Sequence, residues 1–546
     1  MADIEPITRA AAALAERAVA AMQQLTRSGE VIDDHQVVVE RVAYAATEAR
    51  AIAALVDLRN SGVAARAGEA GACIATVDGG EVAAAELATS LRNRLEAVAP
   101  ALGLTLEGAY TGAAQAAIAR GLAPSAVAAV GDAALEVGGR MPWRDDDMLA
   151  EVRANVRAFA DREVVPHAER IHRHDELVPE RLVEAMARAG YFGLSIPAAY
   201  GGHELGNPAM IVTTEELSRA SLAAAGSLIT RPEILAKALL AGGTEAQKRA
   251  LLPALASGAM MVAISVTEPD TGSDVASLSC RAERARVDGR DGWAITGAKA
   301  WCTFAGRADA IALLARTGDG GARGLTLFVV AKPRFDGHDF EVTQPGGGTL
   351  TGRADRTPGY RGMHSFSLQF DRFLVDADAV VGGDAGIGRG FALQMAGFAA
   401  GRLQTGGRAC GVIGAAIEQT CAYVASRRQF GKRIGDYELT RYYLGRMAAR
   451  LAASRAITYA AAAAMDDAGG GTGRAGTMAA MAKLYASDAA VEVTQLGQLL
   501  HGGWGYAEDY PISRLVADAQ VLPIFEGVRP ILALKVIGRA LARGEG

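Results

Sequence analysis

One carboxylate near the C-terminus stands in a setting that suits general-base chemistry. Glu526 follows the apolar residues Ile524 and Phe525 and precedes Gly527. Burial beside apolar side chains removes water from a carboxylate and makes it a better base near neutral pH. The alternative is that Glu526 only caps the start of a last helix, expected from residue 528 onward. The segment alone favours that alternative, because single acidic residues usually lie on protein surfaces.

Two segments that follow strand-like runs could hold a planar or anionic ligand. Residues 266–274 surround a turn with backbone N–H groups and with hydroxyls such as those of Thr267 and Ser273, which suit a ligand with many acceptors. Trp301 and Thr303 lie two positions apart, so we expect both on one face of a strand. A flat ring beside a hydroxyl could hold a planar cofactor, whereas a Trp taken in isolation is more often a core side chain.

Two further segments have the composition of a nucleotide-binding surface. Residues 427–432 combine three cations, beginning with Arg427, with the ring of Phe430. This combination suits a pyrophosphate and a stacked ring, or it is a solvated basic end of a helix. Gly502 and Gly503 would allow a ligand to approach the backbone closely, or they simply end a helix.

The elements that must position these residues change type twice along the chain. From residue 145 to about 257, apolar residues recur at three- and four-residue steps, which predicts helices. From Met260 the pattern predicts an antiparallel barrel or sandwich with a long polar excursion at residues 344–360. Its strand-like runs are residues 262–266, 293–295, 310–314, 325–330 and 365–370. Four long helices then predict a bundle, at residues 391–426, 439–465, 475–500 and 528–542.

The predicted fold class is therefore α+β, with four domains. They are a helical extension (residues 1–143), an N-terminal α domain (144–258), a middle antiparallel β domain (259–385) and a C-terminal four-helix bundle (386–546). Helices in the extension are expected near residues 7–25, 33–58, 82–98 and 108–120. The extension contains no chemical motif, so we expect it to serve packing or oligomerisation, with regulation as the alternative.

Composition argues against several classes of function. The chain of 546 residues is half apolar and long enough for three or four domains. A net charge of −5 without a basic cluster argues against a nucleic-acid partner. Five scattered cysteines without a CxxC pair argue against a disulfide framework or a metal site and suit a cytoplasmic protein. The start lacks a signal-peptide pattern and the Ala-rich runs are too short to span a bilayer, so we expect no membrane association.

Taken in their order and spacing, the segments resemble the signatures of the acyl-CoA dehydrogenase family. The resemblance covers about three-quarters of the chain, from residue 145 to residue 542, and the fold of that family agrees with the domain order above. The stretches that carry it are residues 265–274, 297–303, 359–362, 427–432, 501–506 and 525–527.

The resemblance implies a bound FAD. Thr267 would hydrogen-bond the pyrimidine edge of the flavin, while Trp301 and Thr303 would flank the isoalloxazine, with Thr303 near N5. Ser273 would lie near an FAD phosphate or the CoA chain. The other implied FAD contacts are Val266, Arg427, Phe430, Gln498, Gly502 and Gly503. Several of these would reach the FAD of a neighbouring subunit, so the resemblance implies a homodimer or homotetramer.

The resemblance also implies that Glu526 is the catalytic base of an acyl-CoA dehydrogenation. Glu526 would take the α-proton beside the thioester while hydride passes from the β-carbon to flavin N5, and Phe525, Gly527 and Arg402 would contact the acyl-CoA. The implied electron acceptor is an electron-transferring flavoprotein. Some relatives carry the base on the helix at residues 391–426, where this chain has Gln404, which cannot serve. That absence of an acid strengthens the assignment to Glu526.

The sequence departs from the family pattern directly after the base. Val528 stands where the family usually has Thr, and Pro530 is also unusual.

The extension and the loop at residues 344–365 are similar to a subgroup of the family that oxidises (2S)-methylsuccinyl-CoA to mesaconyl-CoA in the ethylmalonyl-CoA pathway. A substrate with a free terminal carboxylate needs a buried cation or several donors. An ungapped alignment from Ser218 to Lys248 places Thr230 and Arg231 on the helix that lines the acyl pocket, which makes Arg231 the candidate. The alternative is that Arg231 faces solvent.

Other functions remain open from the sequence. The same fold supports dehydrogenases for butyryl- or isovaleryl-CoA, acyl-CoA oxidases and nitroalkane-oxidising relatives, although the last usually replace the base Glu by Asp. A non-catalytic or nucleic-acid-associated relative predicts a lost base and an added basic patch, neither of which the sequence shows.

Overall fold

The computed structural model describes residues 4–60, 79–468 and 473–546. The chain divides into two compact units, Met1–Arg157 with Arg402–Gly546, and Ala158–Gly401. The N-terminal extension and most of the predicted bundle therefore belong to one unit. Cys73 lies outside the described residues, and the four other cysteines are buried free thiols.

The first unit is helical. Its N-terminal part contains α1 (Glu5–Leu25), α2 (Gln36–Asn60), α3 (Gly80–Glu96), α4 (Ala99–Leu102), α5 (Gly112–Gly121), α6 (Pro124–Glu136) and α7 (Asp147–Phe159). Its C-terminal part is formed by residues 402–426 of α13 (Gly390–Ser426) and by α14 (Glu438–Asp467), α15 (Gly473–His501), α16 (Pro511–Ala519), α17 (Arg529–Ile531) and α18 (Arg539–Ala542). The extension helices α2, α3 and α6 pack on α14, so the extension adds a helical layer to the bundle.

Two glycines allow α6 and α14 to pack with their backbones nearly touching. A Cβ on Gly131 would lie 1.8 Å from the carbonyl oxygen of Arg441, and a Cβ on Gly445 would lie 1.9 Å from that of Val127. No larger residue fits at either position without separating the helices. The extension is thus fitted to the bundle by residue size as well as by apolar surface.

The second unit combines helices with one sheet. The helices are α8 (Val165–Arg173), α9 (Glu180–Arg188), α10 (Gly206–Ala220), α11 (Thr230–Gly242) and α12 (Glu245–Ala256). The strands are β1 (Val262–Ser265), β2 (Arg281–Val287), β3 (Arg290–Thr303), β4 (Ala310–Arg316), β5 (Leu325–Ala331), β6 (Asp339–Thr343), β7 (Thr349–Ala354) and β8 (Ser365–Asp376). Leu235, Leu239 and Leu252 of the helices share a buried apolar core with Val262, Leu314 and Leu327 of the strands.

The sheet order is β1-β4-β2-β3-β8-β7-β6, with β5 paired to β4. Most pairs are antiparallel, as predicted, but β4 runs parallel to β1 and to the start of β2. Alternation of side chains along a strand is the same in both pairings, so the sequence pattern did not distinguish them.

Two predicted elements were wrong in detail. The polar excursion at residues 344–360 contains β7, which pairs with β6 and β8, so the irregular parts are the turn at residues 344–348 and the segment at residues 355–364. The last helix, predicted at residues 528–542, is interrupted by a π-helix at Leu532–Gly538. The helices α4, α6 and α16 and the strands β2, β6 and β7 were not predicted.

Within the described residues, no single helix is long and apolar enough to cross a membrane, and the bent pair α5–α6 meets that test only when both helices are counted together.

Candidate active site

Glu526 lies in a tight, left-handed turn of the first unit. Its φ is 54° and that of Gly527 is 101°, so two successive residues have positive φ. Such a conformation is costly for a residue with a side chain and persists where the surroundings enforce it. The Arg529 N–H closes the turn by donating to the carbonyl of Pro523 at 2.9 Å. Val528, rather than Glu526, is the N-cap residue of the following helix. The alternative that Glu526 only caps this helix is therefore wrong.

A buried lysine supports this turn from α15. Lys483 is fully buried, and its Nζ donates to the carbonyl oxygen of Gly527 at 2.6 Å. Burial lowers the pKa of Lys483 to about 7, although the negative charges of Glu526 and Asp488 oppose the shift. The role of this lysine was not predicted from the sequence. One feature of the sequence could have indicated it. Lys483 is the single charged residue among the small and apolar residues at positions 478–484, within a helix of the predicted bundle.

Two arginines of α13 add positive charge near the same turn. Burial lowers the pKa of Arg402, while the charge of Glu526 acts in the opposite direction, so Arg402 lies within electrostatic reach of the carboxylate. The guanidinium of Arg408, fully buried, lies 4.6 Å from the ring centroid of Phe525. These cations can stabilise negative charge on a carboxylate or on a substrate oxygen. Gln404, on the same helix, is a buried neutral amide.

The residues that depart from the family pattern begin the next helix without a side-chain cap. Val528 has no side-chain oxygen to accept from the first turn of α17. Pro530 lies in that first turn, where its missing N–H costs little. A proline therefore starts the helix in place of a capping hydroxyl.

In the second unit, a buried ion pair anchors the turn at residues 266–274. Lys299 Nζ donates to Glu268 Oε1 and to the carbonyl of Val266, both at 2.9 Å. Burial raises the pKa of Glu268, but the Lys299 charge and the Ser279 hydrogen bonds outweigh it, so the net pKa is lowered. The Ala300 N–H donates to the carbonyl of Thr267 at 2.8 Å. Thr267 is thereby held beside the segment that carries Trp301.

Trp301 is presented to solvent by a break in β3. The pairing with β8 shifts register between Lys299 and Cys302, and Trp301 has a φ of 58°. Strict alternation therefore does not extend across Trp301 and Thr303, and the prediction that both share a strand face was wrong. The Trp301 residue is 58% exposed, so it is not a core side chain. Thr303 is buried, and its hydroxyl pairs with that of Ser365 at 3.0 Å.

Arg231 is buried, which contradicts the solvent-facing alternative. It is 6% exposed, and its Nη2 donates to the hydroxyl of Tyr360 at 3.4 Å. Burial raises the pKa of the Cys302 thiol to about 12, with the charge of Arg231 opposing the shift, so the two side chains lie near each other. Thr230 precedes Arg231 at the start of α11 and is fully buried. The helix thus places a cation and a phenol together inside the unit.

The remaining predicted cofactor contacts lie mostly at the surface. Arg428–Gln429 and Lys432–Arg433 form a two-residue hairpin whose tip, Phe430-Gly431, has positive φ at both residues. Phe430 is 94% exposed there, and Arg427 precedes the hairpin, also exposed.

Gly502 and Gly503 follow the end of α15, and no described atom lies within 4 Å of a Cβ built on either. Gln498 Nε2 donates to the carbonyl of Gly505 at 3.1 Å. Ser273 is exposed, whereas Val266 is buried. Each unit therefore brings part of the predicted set together: Glu526, Phe525, Gly527 and Arg402 in the first, and Thr267, Trp301 and Thr303 in the second.

These surfaces fit a flavin nucleotide. An exposed indole beside a strand bulge offers a flat apolar face, and the nearby Thr267 turn offers backbone groups and a hydroxyl. The open backbone at Gly502 and Gly503 admits a phosphate or ring at close range. Each surface, taken by itself, suits one part of such a nucleotide.

One group of side chains in the second unit has the composition of a metal site. Asp175, His338 and His364 bring three potential ligand atoms within 4.8 Å of one another. His364 Nε2 lies 3.0 Å from Asp175 Oδ1, and the Nε of Arg361 lies 3.4 Å from the same oxygen. A guanidinium on the shared carboxylate opposes a second cation there. The absence of a metal site stays a prediction.

Comparisons with known proteins identify the family of the chain. Three family models match the chain. They describe the N-terminal, middle and C-terminal domains of acyl-CoA dehydrogenases, and they match residues 146–259, 263–373 and 388–542, respectively. The chain is 41% identical over 399 residues to (2S)-methylsuccinyl-CoA dehydrogenase of Cereibacter sphaeroides, which covers 72% of this chain and 70% of that protein.

Solved structures agree with that assignment. The chain is 29% identical to a glutaryl-coenzyme A dehydrogenase solved in complex with glutaryl-CoA, with a TM-score of 0.64. The match covers 71% of this chain and 94% of the chain of that dehydrogenase. A chain in a structure of the electron transferring flavoprotein of Acidaminococcus fermentans is 25% identical, with a TM-score of 0.65, covering 72% and 98%. The predicted α+β architecture is thereby confirmed. The chain belongs to the acyl-CoA dehydrogenase family, whose members are flavin-dependent oxidoreductases that act on the CH–CH bonds of acyl-CoA thioesters.

Proposed function

We propose that the chain oxidises (2S)-methylsuccinyl-CoA to mesaconyl-CoA, with Glu526 as the base. The observation that carries the base assignment is the Glu526 turn itself, which has two successive positive φ values and a buried lysine bonded to its carbonyl. A strained backbone that is supported by such a hydrogen bond holds the side chain in one orientation, and proton abstraction requires a fixed orientation of the base. The absence of an acid at Gln404 also supports this assignment.

The residues around Glu526 have separate tasks in this proposal. Glu526 removes the proton from the carbon next to the thioester. Arg402 and Lys483 stabilise the negative charge that a carboxylate carries in a site with little water. Phe525, under the guanidinium of Arg408, supplies an apolar contact for the acyl chain. FAD, when bound, supplies the hydride acceptor for the β-carbon.

FAD binding is assigned to two groups of residues. Thr267, Trp301, Thr303 and Val266 would hold the isoalloxazine of the chain's own cofactor, with Ser273 toward a phosphate. Arg427, Phe430, Gln498, Gly502 and Gly503 would reach the cofactor of a neighbouring subunit. The proposed assembly is therefore a homodimer or a homotetramer.

Arg231 is proposed to bind the terminal carboxylate that distinguishes this substrate from butyryl-CoA. A buried guanidinium with a phenol hydroxyl at its Nη2 can pair with a carboxylate through charge-assisted hydrogen bonds. The substrate named for the 41% identical relative has the same free carboxylate. The likeness to a structure of an electron transferring flavoprotein supports that kind of protein as electron acceptor.

The test is anaerobic bleaching of the purified yellow protein. Methylsuccinyl-CoA should bleach the flavin absorbance, whereas butyryl-CoA and isovaleryl-CoA should do so far more slowly. The Glu526→Gln variant should remain yellow and fail to bleach. If only the monocarboxylic thioesters bleach the protein, the substrate assignment is wrong, and an active Glu526→Gln variant would refute the base assignment.

The second candidate function is an acyl-CoA oxidase on the same fold. It is distinguished from a dehydrogenase by the rate at which the reduced flavin is reoxidised in air and by an added electron-transferring flavoprotein. Rapid reoxidation by oxygen alone would favour the oxidase.

A further inference from the structure

The N-terminal extension reaches the segment that follows Glu526 through a single carboxylate. Tyr44 of α2 is buried, and its hydroxyl donates to Asp488 Oδ2 at 2.7 Å. The other oxygen of Asp488 accepts from Arg529 Nη1 at 3.1 Å. Arg529 is three residues beyond Glu526, and its own N–H closes the Glu526 turn. A continuous chain of hydrogen bonds thus joins the extension to this turn.

Tyr44 is itself held in one orientation. The guanidinium of Arg94 lies 4.3 Å from the centre of the Tyr44 ring. Arg94 is fixed in turn by Glu48, which accepts from its Nε at 2.7 Å. Burial and the charge of Asp488 raise the pKa of the Tyr44 phenol, so its hydroxyl stays protonated and remains a donor. The hydroxyl therefore presents a fixed donor to Asp488.

The extension contacts the same C-terminal segment at two more points. A Cβ on Gly538, at the end of the π-helix, would lie 2.3 Å from Val39 Cγ1 of α2. Lys535, in the middle of the π-helix, forms an ion pair with Asp33. The backbone from residue 529 to residue 538 is therefore restrained by the extension along its length.

We propose that Tyr44 is a positioning residue that keeps the Glu526 turn in its catalytic geometry through Asp488 and Arg529. The Arg529 side chain is 53% exposed, and an exposed ion pair alone orders little. The buried Tyr44 hydroxyl fixes the carboxylate that Arg529 pairs with, and so it converts a loose surface pair into a defined restraint. This inference rests on the proposed role of Glu526 as base, and it gives the extension a task in catalysis.

The test compares Tyr44→Phe with Tyr110→Phe in the full-length holoenzyme. Tyr110 is a matched control because it also lies in the extension. Its hydroxyl donates to the backbone carbonyl of Ala88 at 2.8 Å and not to a carboxylate. Three quantities are measured: kcat, KM, and the rate of α-proton exchange of a redox-inactive 3-thia-acyl-CoA in deuterated buffer. Exchange reports the base without any hydride transfer.

For Tyr44→Phe we expect kcat and the exchange rate to fall about tenfold, with KM changed less than about twofold. Tyr110→Phe should change neither rate, while both variants lower the thermal midpoint by similar amounts. Arg529→Gln, at the exposed end of the same connection, should lower the exchange rate in the same direction. Combined with Tyr44→Phe it should add little, because both act through Asp488.

The inference is overturned if Tyr44→Phe exchanges and turns over at the wild-type rate, or if Tyr110→Phe slows both rates equally. If Tyr44→Phe does not fold, Arg529→Gln decides, and a wild-type exchange rate in that variant overturns the inference. The Glu526→Gln variant separates this outcome from failure of the proposed function. A Glu526→Gln variant that still exchanges the α-proton removes Glu526 as base, whereas an inert Glu526→Gln beside an unimpaired Tyr44→Phe removes only the role of Tyr44.

Discussion

Replacement of Lys483 by Met should remove a pH dependence of stability that the buried amine gives the wild type. Burial lowers the Lys483 pKa from 10.5 to about 7 in the folded chain. Below pH 7 the amine is protonated in both the folded and the unfolded chain, so the full cost of burying the charge is present. Between pH 7 and 10.5 the folded amine is neutral while the unfolded one is protonated, and the cost is relieved as the pH rises.

The size of the effect follows from those two pKa values. One pKa unit corresponds to about 1.4 kcal/mol, and integration from pH 7 to pH 9 predicts a gain of about 2 kcal/mol for the wild type relative to Lys483→Met. The hydrogen bond from Nζ to the Gly527 carbonyl persists in the neutral amine, so its contribution does not cancel this trend.

The assay is urea unfolding of the holoenzyme at pH 7 and pH 9, for the wild type, Lys483→Met and the control Lys535→Met. Lys535 lies in the π-helix after the Glu526 turn and its side chain is partly exposed, so the difference between wild type and Lys535→Met should stay nearly constant. A constant difference for Lys483→Met as well would refute a buried, titrating ammonium beside Gly527. The titrating ammonium would also be refuted if the free energy of unfolding of the wild type, relative to that of Lys483→Met, were lower at pH 9 than at pH 7.

Two substitutions in the second unit test the proposed ligand contacts. Arg231→Met should lower kcat/KM for methylsuccinyl-CoA by about a hundredfold, the loss of one buried charge-assisted interaction, and should change that for butyryl-CoA little, as measured by steady-state kinetics. An equal loss on both substrates would count against a carboxylate contact. Trp301→Ala should weaken FAD retention about tenfold in dialysis against flavin-free buffer while the circular dichroism stays unchanged, because its ring is mostly exposed. Wild-type retention would argue against stacking at this position.

The local elements were predictable because they depend on short-range patterns. All five predicted strand-like runs overlap observed strands, and the first three bundle helices begin and end within two residues of the prediction. The strands β6 and β7 were missed because they are short and carry glycine or charged residues, so their pattern resembles a loop. The π-helix after Ile531 was missed because apolar periodicity continues through it.

The candidate site was predictable only in part. Glu526, Trp301 and Arg231 were found from their types and from the resemblance to a family. The exposure of Trp301 was not, because it results from a register shift against β8, a strand that begins 64 positions later in the chain. Lys483 and Tyr44 were missed because a buried lysine or tyrosine in a helix has no local pattern that distinguishes it from a surface residue.

By itself, the sequence determined the order of helical and strand segments, the family, and the acid most suited to act as base. Those properties follow from periodicity and from residue type, which are local. The tertiary structure decided how that acid is held. Lys483 is 44 positions from Gly527, and Tyr44 is 444 positions from Asp488. Hydrogen bonds over such separations depend on how helices pack, and packing is a property of the folded chain that no short stretch of sequence contains.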